Sequence, residues 1–363
     1  MDINQIIIYI LVFFMALGAL DKCIGNKFGL GEKFDDGFKI MGPLAIAMVG
    51  IISLAPVLAK LLGPVIGPVY SFFGADPAMF AGTLLAVDMG GYQLAVQMAK
   101  TVDVGLFSGI ILGSMMGATI VFTIPVALGM IRKEDHRFLA IGVLAGLATI
   151  PFGCLIGGLL AGFSLKMILI NLVPVVIFAA LVIIGLWFFQ EKIIKLFHWF
   201  SKFIMIVITI GTAAIIIETL TGLVVIPGMA PIWDGIRIVG YGAIILMGAF
   251  PMIYVITKAL KKPLLKLGHF LGINEVAASG MVISLCNNIP AISLTKDMDD
   301  KGKVLNFAFG VSAAFIFGEQ LGLVASVNQS MIFPMIIGKL SAGILAVALA
   351  YWLVSRTDIL KAK

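Results

Sequence analysis

The sequence predicts an all-α polytopic membrane protein made of two inverted structural repeats, each carrying a re-entrant helical hairpin. Three observations lead there. The chain is 61% hydrophobic and 12% charged over 363 residues, with a mean hydropathy of +1.14, so it holds far more apolar side chain than one soluble core can hide. Apolar runs of about 20 residues recur from end to end, and they are continuous instead of alternating, which argues for helices and against a β-barrel. Two of these runs are interrupted in the middle, and the interruptions correspond.

The corresponding stretches are Gly74 to Lys100, GADPAMFAGTLLAVDMGGYQLAVQMAK, and Gly272 to Met298, GINEVAASGMVISLCNNIPAISLTKDM. A shift of 198 positions lays Gly74 on Gly272 and Gly82 on Gly280, and puts the break DMGGY on CNNIP. Two interrupted apolar segments at matching places in two halves of a membrane chain are the best sequence pointer to a transporter's binding site.

In chain order, eleven apolar segments fall near 5–21, 40–62, 76–99, 104–131, 138–162, 166–189, 203–226, 239–260, 273–295, 304–326 and 331–354. The first has Asp2 and no Lys or Arg before it, unlike the positive start of a secretory signal, so it is expected to stay as the first helix. Connections are short, the longest polar ones being 21–39 and 190–202. In the second, Ile193, Ile194, Phe197 and Phe200 fall at helical spacing opposite Lys192, Lys195 and Lys202, which suits a helix lying along the membrane surface or a plain linker helix.

Charge placement selects the topology, because cytoplasmic loops collect Lys and Arg. If all eleven segments cross, alternate loops receive 13 and 11 of these residues, which is no bias. If the two broken segments return to the side they entered, one side receives 20 and the other only Lys60, Lys100, Lys166 and Arg237, with Lys339 inside a helix. The expected arrangement therefore has nine crossings and two hairpins, an outside N-terminus and a cytoplasmic C-terminus, and halves that point oppositely. The first repeat covers 1–162 with its hairpin at 74–101, and a linking transmembrane helix and amphipathic segment cover 163–202. The second repeat covers 203–355 with its hairpin at 272–298, and a cytoplasmic tail covers 356–363. Hairpin arms of 10 to 12 helical residues reach roughly 15 to 18 Å, about half of a 30 Å hydrocarbon core, so the tips are expected to meet near the midplane.

Non-helical backbone at that depth is tolerated where it lines a water-filled cavity or is buried in protein. At the first tip stand Asp88, Gly90, Gly91, Tyr92 and Gln93. A carboxylate there must pair with a cation, take a proton or face water, and the glycines let backbone approach a ligand. The alternative is that Asp88 caps the second half-helix. The second tip offers Cys286, Asn287, Asn288 and Pro290; the two amides suit a hydroxyl or amine, or else serve as caps and turn formers, and Cys286 reads as a small buried hydrophobe.

Three further ionisable residues sit within helices: Glu218 in IIIETL, Glu319 in FGEQLG and Lys339 in IIGKLSAG. A buried lysine is expected to pair with an acid, Glu319 or Glu218, which leaves the other carboxylate as a candidate for substrate. Asp76, before Pro77, reads as a helix cap. Small residues in GSMMGA at 113–118 and GVLAGLA at 142–148 suit close helix packing. Cys23, Cys154 and Cys286 are far apart, and His136, His198 and His269 fall in or near loops, so no metal site, disulfide or cofactor is expected. The formal charge of +6 reports orientation at anionic lipid, not a nucleic-acid partner. Hydrolase and nucleotide-binding motifs are lacking and the loops are short, which argues against an enzyme.

The strings FFGADPAMFAGTLLAVDMGGYQLA, SLCNNIPAISL and FGEQLG, together with the length, resemble the ethanolamine permease family of bacterial ethanolamine-utilisation operons, and the resemblance spans essentially the whole chain. It implies uptake of ethanolamine across the bacterial inner membrane to feed a cytoplasmic ammonia-lyase pathway. It carries no residue-level site. Ethanolamine is a small cation with a hydroxyl, so it asks for a carboxylate or aromatic face and for an amide; Asp88, Tyr92, Gln93, Asn287 and Asn288 supply that set. The expected partners are ethanolamine and membrane lipid, with room for a homo-oligomer. A transporter of a small anionic metabolite and a membrane receptor or scaffold are the competing readings; a lone acid at the tip opposes the first, and the lack of a soluble module opposes the second.

Overall fold

The computed structural model describes residues 2–356 and contains helices and no strands among them. Eight helical stretches are long and apolar enough to cross a membrane: 3–23, 30–72, 102–130, 133–160, 165–190, 195–221, 232–259 and 329–356. The protein is a multi-pass membrane protein, and these stretches match eight of the nine expected crossings.

The first half runs α1 (Ile3–Cys23), α2 (Leu30–Lys39), α3 (Met41–Phe72), then the short α4 (Ala78–Leu84) and α5 (Tyr92–Met98). A longer rod follows from α6 (Val102–Leu106) to α7 (Ile124–Met130), wound as π-helix over Phe107–Gly117 and Thr119–Thr123, before α8 (His136–Leu160). Next comes α9 (Leu165–Thr221), which bends at Phe189 (φ −135°, ψ 41°). The bend brings Ile193 back to Gly185, where a Cβ would lie 2.8 Å from its side chain.

The second half runs α10 (Ile232–Leu271), α11 (Glu275–Ser284), α12 (Asn288–Ser293), α13 (Asp300–Ala313), α14 (Glu319–Val327) and α15 (Ile332–Arg356). The tail expected over 356–363 lies outside the described residues beyond Arg356.

Two expectations need correction. The ninth crossing, expected as one helix over 304–326, is broken between α13 and α14. Phe315 takes a left-handed φ of +63°, and the freed amides of Phe315 and Phe317 donate to the carbonyls of Ser284 and Leu285, both at 2.9 Å. Those carbonyls are the orphan acceptors at the end of α11, so two broken helices satisfy each other's backbone. The stretch at 190–202 follows the bend at Phe189 and runs helically into the rest of α9, with Phe197 buried and Lys192, Lys195 and Lys202 exposed. The side chain of Ile194 lies outside what is described. Finally, the arms of the first broken stretch are shorter than 10 to 12 residues, at 7 and 7, because the break itself takes up chain, while in the second α11 has 10 residues and α12 has 6, followed by a 3-10 turn over Leu294–Asp297.

Both stretches close at the base. The carboxylate of Asp76 accepts from Ala78 N at 2.9 Å and from Lys100 N at 3.0 Å. In the second, Asn274 N donates to Asp299 at 2.8 Å, while its side chain accepts from Ala277 N and donates to the Asp297 carbonyl, both at 2.9 Å. The two ends of each stretch are thus held together.

Packing recurs at the 198-residue spacing. Gly82 faces Ser108, and Gly280 faces Asn306. Each of those side chains also reaches a carbonyl near the start of the facing helix, Ser108 that of Ala78 at 2.6 Å and Asn306 that of Ala277 at 2.8 Å. Gly50 on α3 abuts the carbonyl of Ile208, and Gly248 on α10 abuts that of Leu11, so each half lends its first helix to the other half's second. The helices α8 and α15 pack closely and antiparallel: Thr149 donates to the Ala342 carbonyl at 3.1 Å, while Gly157, further along α8, meets Pro334, further back on α15. The first break packs within its own half on α3 and the π-wound rod and reaches across to α14, while α12 reaches across to α7. Each tip therefore touches a helix of the opposite half.

Candidate functional site

The first break runs from Leu85 to Gly91. Leu85 and Ala86 are extended (ψ 136° and 148°), Met89 departs from helix (φ −114°, ψ 38°), and Gly90 takes φ +88°. That left-handed turn needs glycine, and a Cβ there would also run into Ile51 of α3. On the other side, Gly117 of the π-wound rod lies so close to the Leu85 carbonyl that no side chain fits between them. Met89 N and Gly91 N both donate to the Ala86 carbonyl at 2.9 Å, so the loosened backbone is partly satisfied within the break.

Asp88 is half-buried between the buried Val87 and Met89. It does not cap α5, which has no side-chain cap bond, so the capping alternative is not the role it plays here. Among the described residues no cation lies within 4.0 Å of its carboxylate. Its charge nonetheless acts on two others, the ammonium of Lys339 and the carboxylate of Glu319.

Lys339, on α15, is 1% exposed and donates through Nζ to the backbone carbonyl of Ser114 in the π-wound segment. The expected ion pair of Lys339 with Glu319, or with Glu218, is not made; the ammonium is held by a carbonyl of the first half. The thiol of Cys154, fully buried on α8, also lies within electrostatic reach of it. Glu319 is the first residue of α14 and half-buried, where its charge sits at the positive end of a helix. The helix boundary there is enforced by Gly318, whose α-carbon lies against the Cys286 carbonyl. The first break, the π-wound rod, α8, the α13–α14 break and α15 thus converge on one charge cluster.

Several buried polar atoms nearby in sequence have no hydrogen-bond partner among the described residues: both amide atoms of Gln93, Oε1 of Gln320 and Oγ of Ser312. Each unsatisfied group of this kind costs about 1–3 kcal/mol, which is tolerated where a ligand is to be met. Tyr92 opens α5 and is half-buried, packed on Gly109.

The second break is chemically quieter. Asn287 caps α12, its Oδ1 accepting from Ile289 N at 2.9 Å, and Asn288 is buried with its amide facing Gly310 on α13. Glu218 stands apart near the end of α9. Among the described residues its buried Oε2 has no hydrogen-bond partner, and it makes no ion pair with Lys339. Sequence reasoning missed Ser114, Cys154, Gln320 and the α13–α14 break. A usable signal existed for the break: an intramembrane acid flanked by glycines in FGEQLG.

A well-formed cavity lies elsewhere. It holds about 540 Å³ between the end of α10, α11, α13 and α15, and apolar residues such as Phe270, Met281, Phe309 and Ile344 line it. With almost no polar group it offers nothing to an amino alcohol. A second cavity of about 390 Å³ has a mixed lining that includes Val57, Lys60 and Gln97.

No solved structure matches the chain. Among curated proteins it is 61% identical over 356 residues to the probable ethanolamine permease EutH of Listeria monocytogenes, covering 98% of this chain and 95% of that one. It is 47% identical over 396 residues to the probable ethanolamine permease EutH of Escherichia coli, covering 99% and 97%. An uncharacterized protein of Bacillus subtilis, YxeR, is 53% identical over 353 residues, covering 97% and 95%. Residues 3–353 match the family described as ethanolamine utilisation protein EutH, and the chain belongs to that family.

Proposed function

We propose that this protein carries ethanolamine across the bacterial cytoplasmic membrane, with Asp88 holding the substrate ammonium. The observation that carries the reading is the unpaired Asp88 carboxylate on a glycine-broken segment inside a multi-pass membrane protein, within reach of one more carboxylate and one buried lysine. A protonated amine is the ligand that such an excess of negative charge accepts. Two relatives named probable ethanolamine permeases support the substrate. The hydroxyl falls to an amide with free hydrogen-bonding capacity, Gln93 first and Asn288 second, since Asn287 is engaged as a cap. Tyr92, Gly90 and Gly91 shape the wall. Glu319 completes the negative field, and Glu218 lies too far along α9 to join it.

In this reading the two broken stretches are re-entrant hairpins, and the halves 1–162 and 203–355 are inverted repeats joined by 163–202. The closed hairpin bases, the antiparallel α8 and α15 and the exchanged packing at 198-residue spacing support it. The N-terminus faces outward and the C-terminus inward: the basic members of the eight ring–cation pairs among the described residues, such as Lys258 on Tyr254 and Arg356 on Trp352, all belong to the side richer in Lys and Arg. Labelling of single cysteines placed at Lys100 and Lys296 tests this. Lys100 is expected to react from outside and Lys296 from inside, and the reverse pattern removes the orientation. Uptake of labelled ethanolamine by proteoliposomes tests the function. It is expected to exceed that of protein-free vesicles and to saturate; uptake equal to the protein-free rate overturns the assignment.

A further inference from the structure

The charge cluster beside the first break is unequal. Asp88 and Glu319 bring two carboxylates, and Lys339 brings one ammonium that no acid pairs within 4.0 Å. Among the described residues the other elements around the break bring no charge to it: α3 contributes Ile51, the π-wound rod contributes Ser114 and Gly117, α5 contributes the Tyr92 phenol, and α8 contributes the Cys154 thiol. Fully ionised, the cluster therefore holds one negative charge in excess. Adding one ethanolammonium makes it neutral.

An uncompensated charge inside the hydrocarbon region is disfavoured by several kcal/mol, enough to make any state that must cross with it a rare one. The loaded protein meets this condition without help, and the empty protein does not. Building on the assignment of the ammonium to Asp88, we infer that the empty carrier returns with a proton on the Asp88–Glu319 pair, so that one ethanolammonium is exchanged for one proton. The proton belongs to the pair and not to either residue, because two carboxylates in mutual reach titrate together. As the ammonium enters from one side, the O–H bond on the pair breaks and the proton leaves to water on that side. As the ammonium departs on the other side, a carboxylate takes a proton from the water there. Each half-cycle crosses the membrane electrically neutral, and the whole cycle moves no net charge.

The drive separates this exchange from simple movement of the cation. Proteoliposomes of the full chain take up labelled ethanolamine, with the protein-free rate subtracted to remove unassisted diffusion of the free base. With the potential clamped at zero, a lumen one pH unit more acid than the outside is expected to give about tenfold accumulation. An inside-negative potassium diffusion potential at equal pH is expected to give none. Accumulation that follows the potential and ignores the pH gradient overturns the exchange, and accumulation driven by a sodium gradient replaces the proton with sodium. Uptake no faster than in protein-free vesicles instead overturns the transport assignment itself. A binding measurement needs no variant: calorimetry of ethanolamine binding in two buffers of different ionisation enthalpy is expected to report one proton released per ammonium bound, and binding without proton release refutes the inference. Glu319→Gln leaves the empty cluster neutral, so its uptake is expected to lose the tenfold response to the pH gradient and to bind without releasing a proton; a folded variant that keeps both also refutes it.

Discussion

The two broken stretches are built on one backbone plan and filled with different chemistry. Both open on a glycine with positive φ, Gly74 at +70° and Gly272 at +65°, both close at the base through a polar side chain, and both press a glycine against the next helix. At the break they part. The first spends Leu85 to Gly91 on irregular backbone and leaves Asp88 without a capping bond, whereas the second passes from α11 to α12 within three residues and engages Asn287 as an ordinary cap. At the 198-residue spacing Asp88 falls on Cys286 and Gly90 on Asn288.

The next pair of elements shows the same contrast in reverse. The rod from α6 to α7 stays continuous, though π-wound, while its counterpart breaks between α13 and α14 and presents Glu319 at a helix start. In the proposed reading, symmetry supplies the scaffold, and departures from it supply the site. Each half gives up a different helix, so the charged residues come from non-equivalent places and meet in one cluster. A single carrier of a small asymmetric cation needs one site and not two, which an unmodified duplicate could not provide.

The sharpest way to break this comparison is to remove the glycines that let the breaks interlock. Gly117→Leu and Gly318→Leu drive side chains into the Leu85 and Cys286 carbonyls, which are backbone atoms with nowhere to move. Each is expected to cost more than about 3 kcal/mol and to abolish monodisperse protein in detergent. Gly63→Leu, on α3 with nothing within 4 Å of its Cβ position, is the control and is expected to purify normally. Equal yields of all three would remove the interlocking as a structural requirement.

Next in size is the buried lysine. Lys339→Met leaves the Ser114 carbonyl without its donor and Asp88 without the cation that acts on it, at a cost of about 3 kcal/mol. Because Asp88 loses that cation while Glu319 still sets a second negative charge against it, either Asp88→Asn or Glu319→Gln is expected to restore part of the loss in thermal stability. Double mutants no more stable than Lys339→Met alone would show that its bond to Ser114, and not the charges, carries the effect.

Much of this was legible in the sequence, and the reasons are physical. Span positions follow from hydropathy because the bilayer acts on every residue. The matching breaks follow because polar residues and glycines are costly inside an apolar run unless the helix opens there. The α13–α14 break was hidden because the apolar run continues through it: Ala314, Phe315, Ile316 and Phe317 are as apolar as any membrane helix, and only the backbone bonds to Ser284 and Leu285 hold them open. The partner of Lys339 was hidden for a related reason. Sequence shows side-chain charges, so an acid was the natural partner to expect, while the acceptor is a main-chain carbonyl that every residue carries. Asp76, read as a cap, proved to tie both ends of its hairpin together, a second role that depends on chain closure and leaves no local mark.

A smaller effect separates the two tips by function. Asp88→Asn keeps size and polarity and removes the charge, and it is expected to leave the fold intact while weakening ethanolamine binding at least tenfold, about 1.4 kcal/mol, for a charge-assisted contact. Calorimetry or saturable uptake reads this directly. Near-normal binding by a folded variant would move the ammonium to Glu319.

The smallest expected effect belongs to Asn287, and it tests the other side of the comparison. Its Oδ1 accepts one amide, that of Ile289, at the start of α12. Replacing a cap of this kind by alanine costs about 1 kcal/mol, while aspartate caps about as well as asparagine. Asn287→Ala is therefore expected to lower the melting temperature slightly and Asn287→Asp to leave it nearly unchanged, with ethanolamine affinity unaltered in the alanine variant. If Asn287 instead met the substrate hydroxyl, the order would change: the alanine variant would lose affinity beyond what its stability loss explains. A tenfold loss of affinity in Asn287→Ala at an unchanged melting temperature would place substrate at both tips and end the division between a charged tip that binds and a neutral tip that holds its helix.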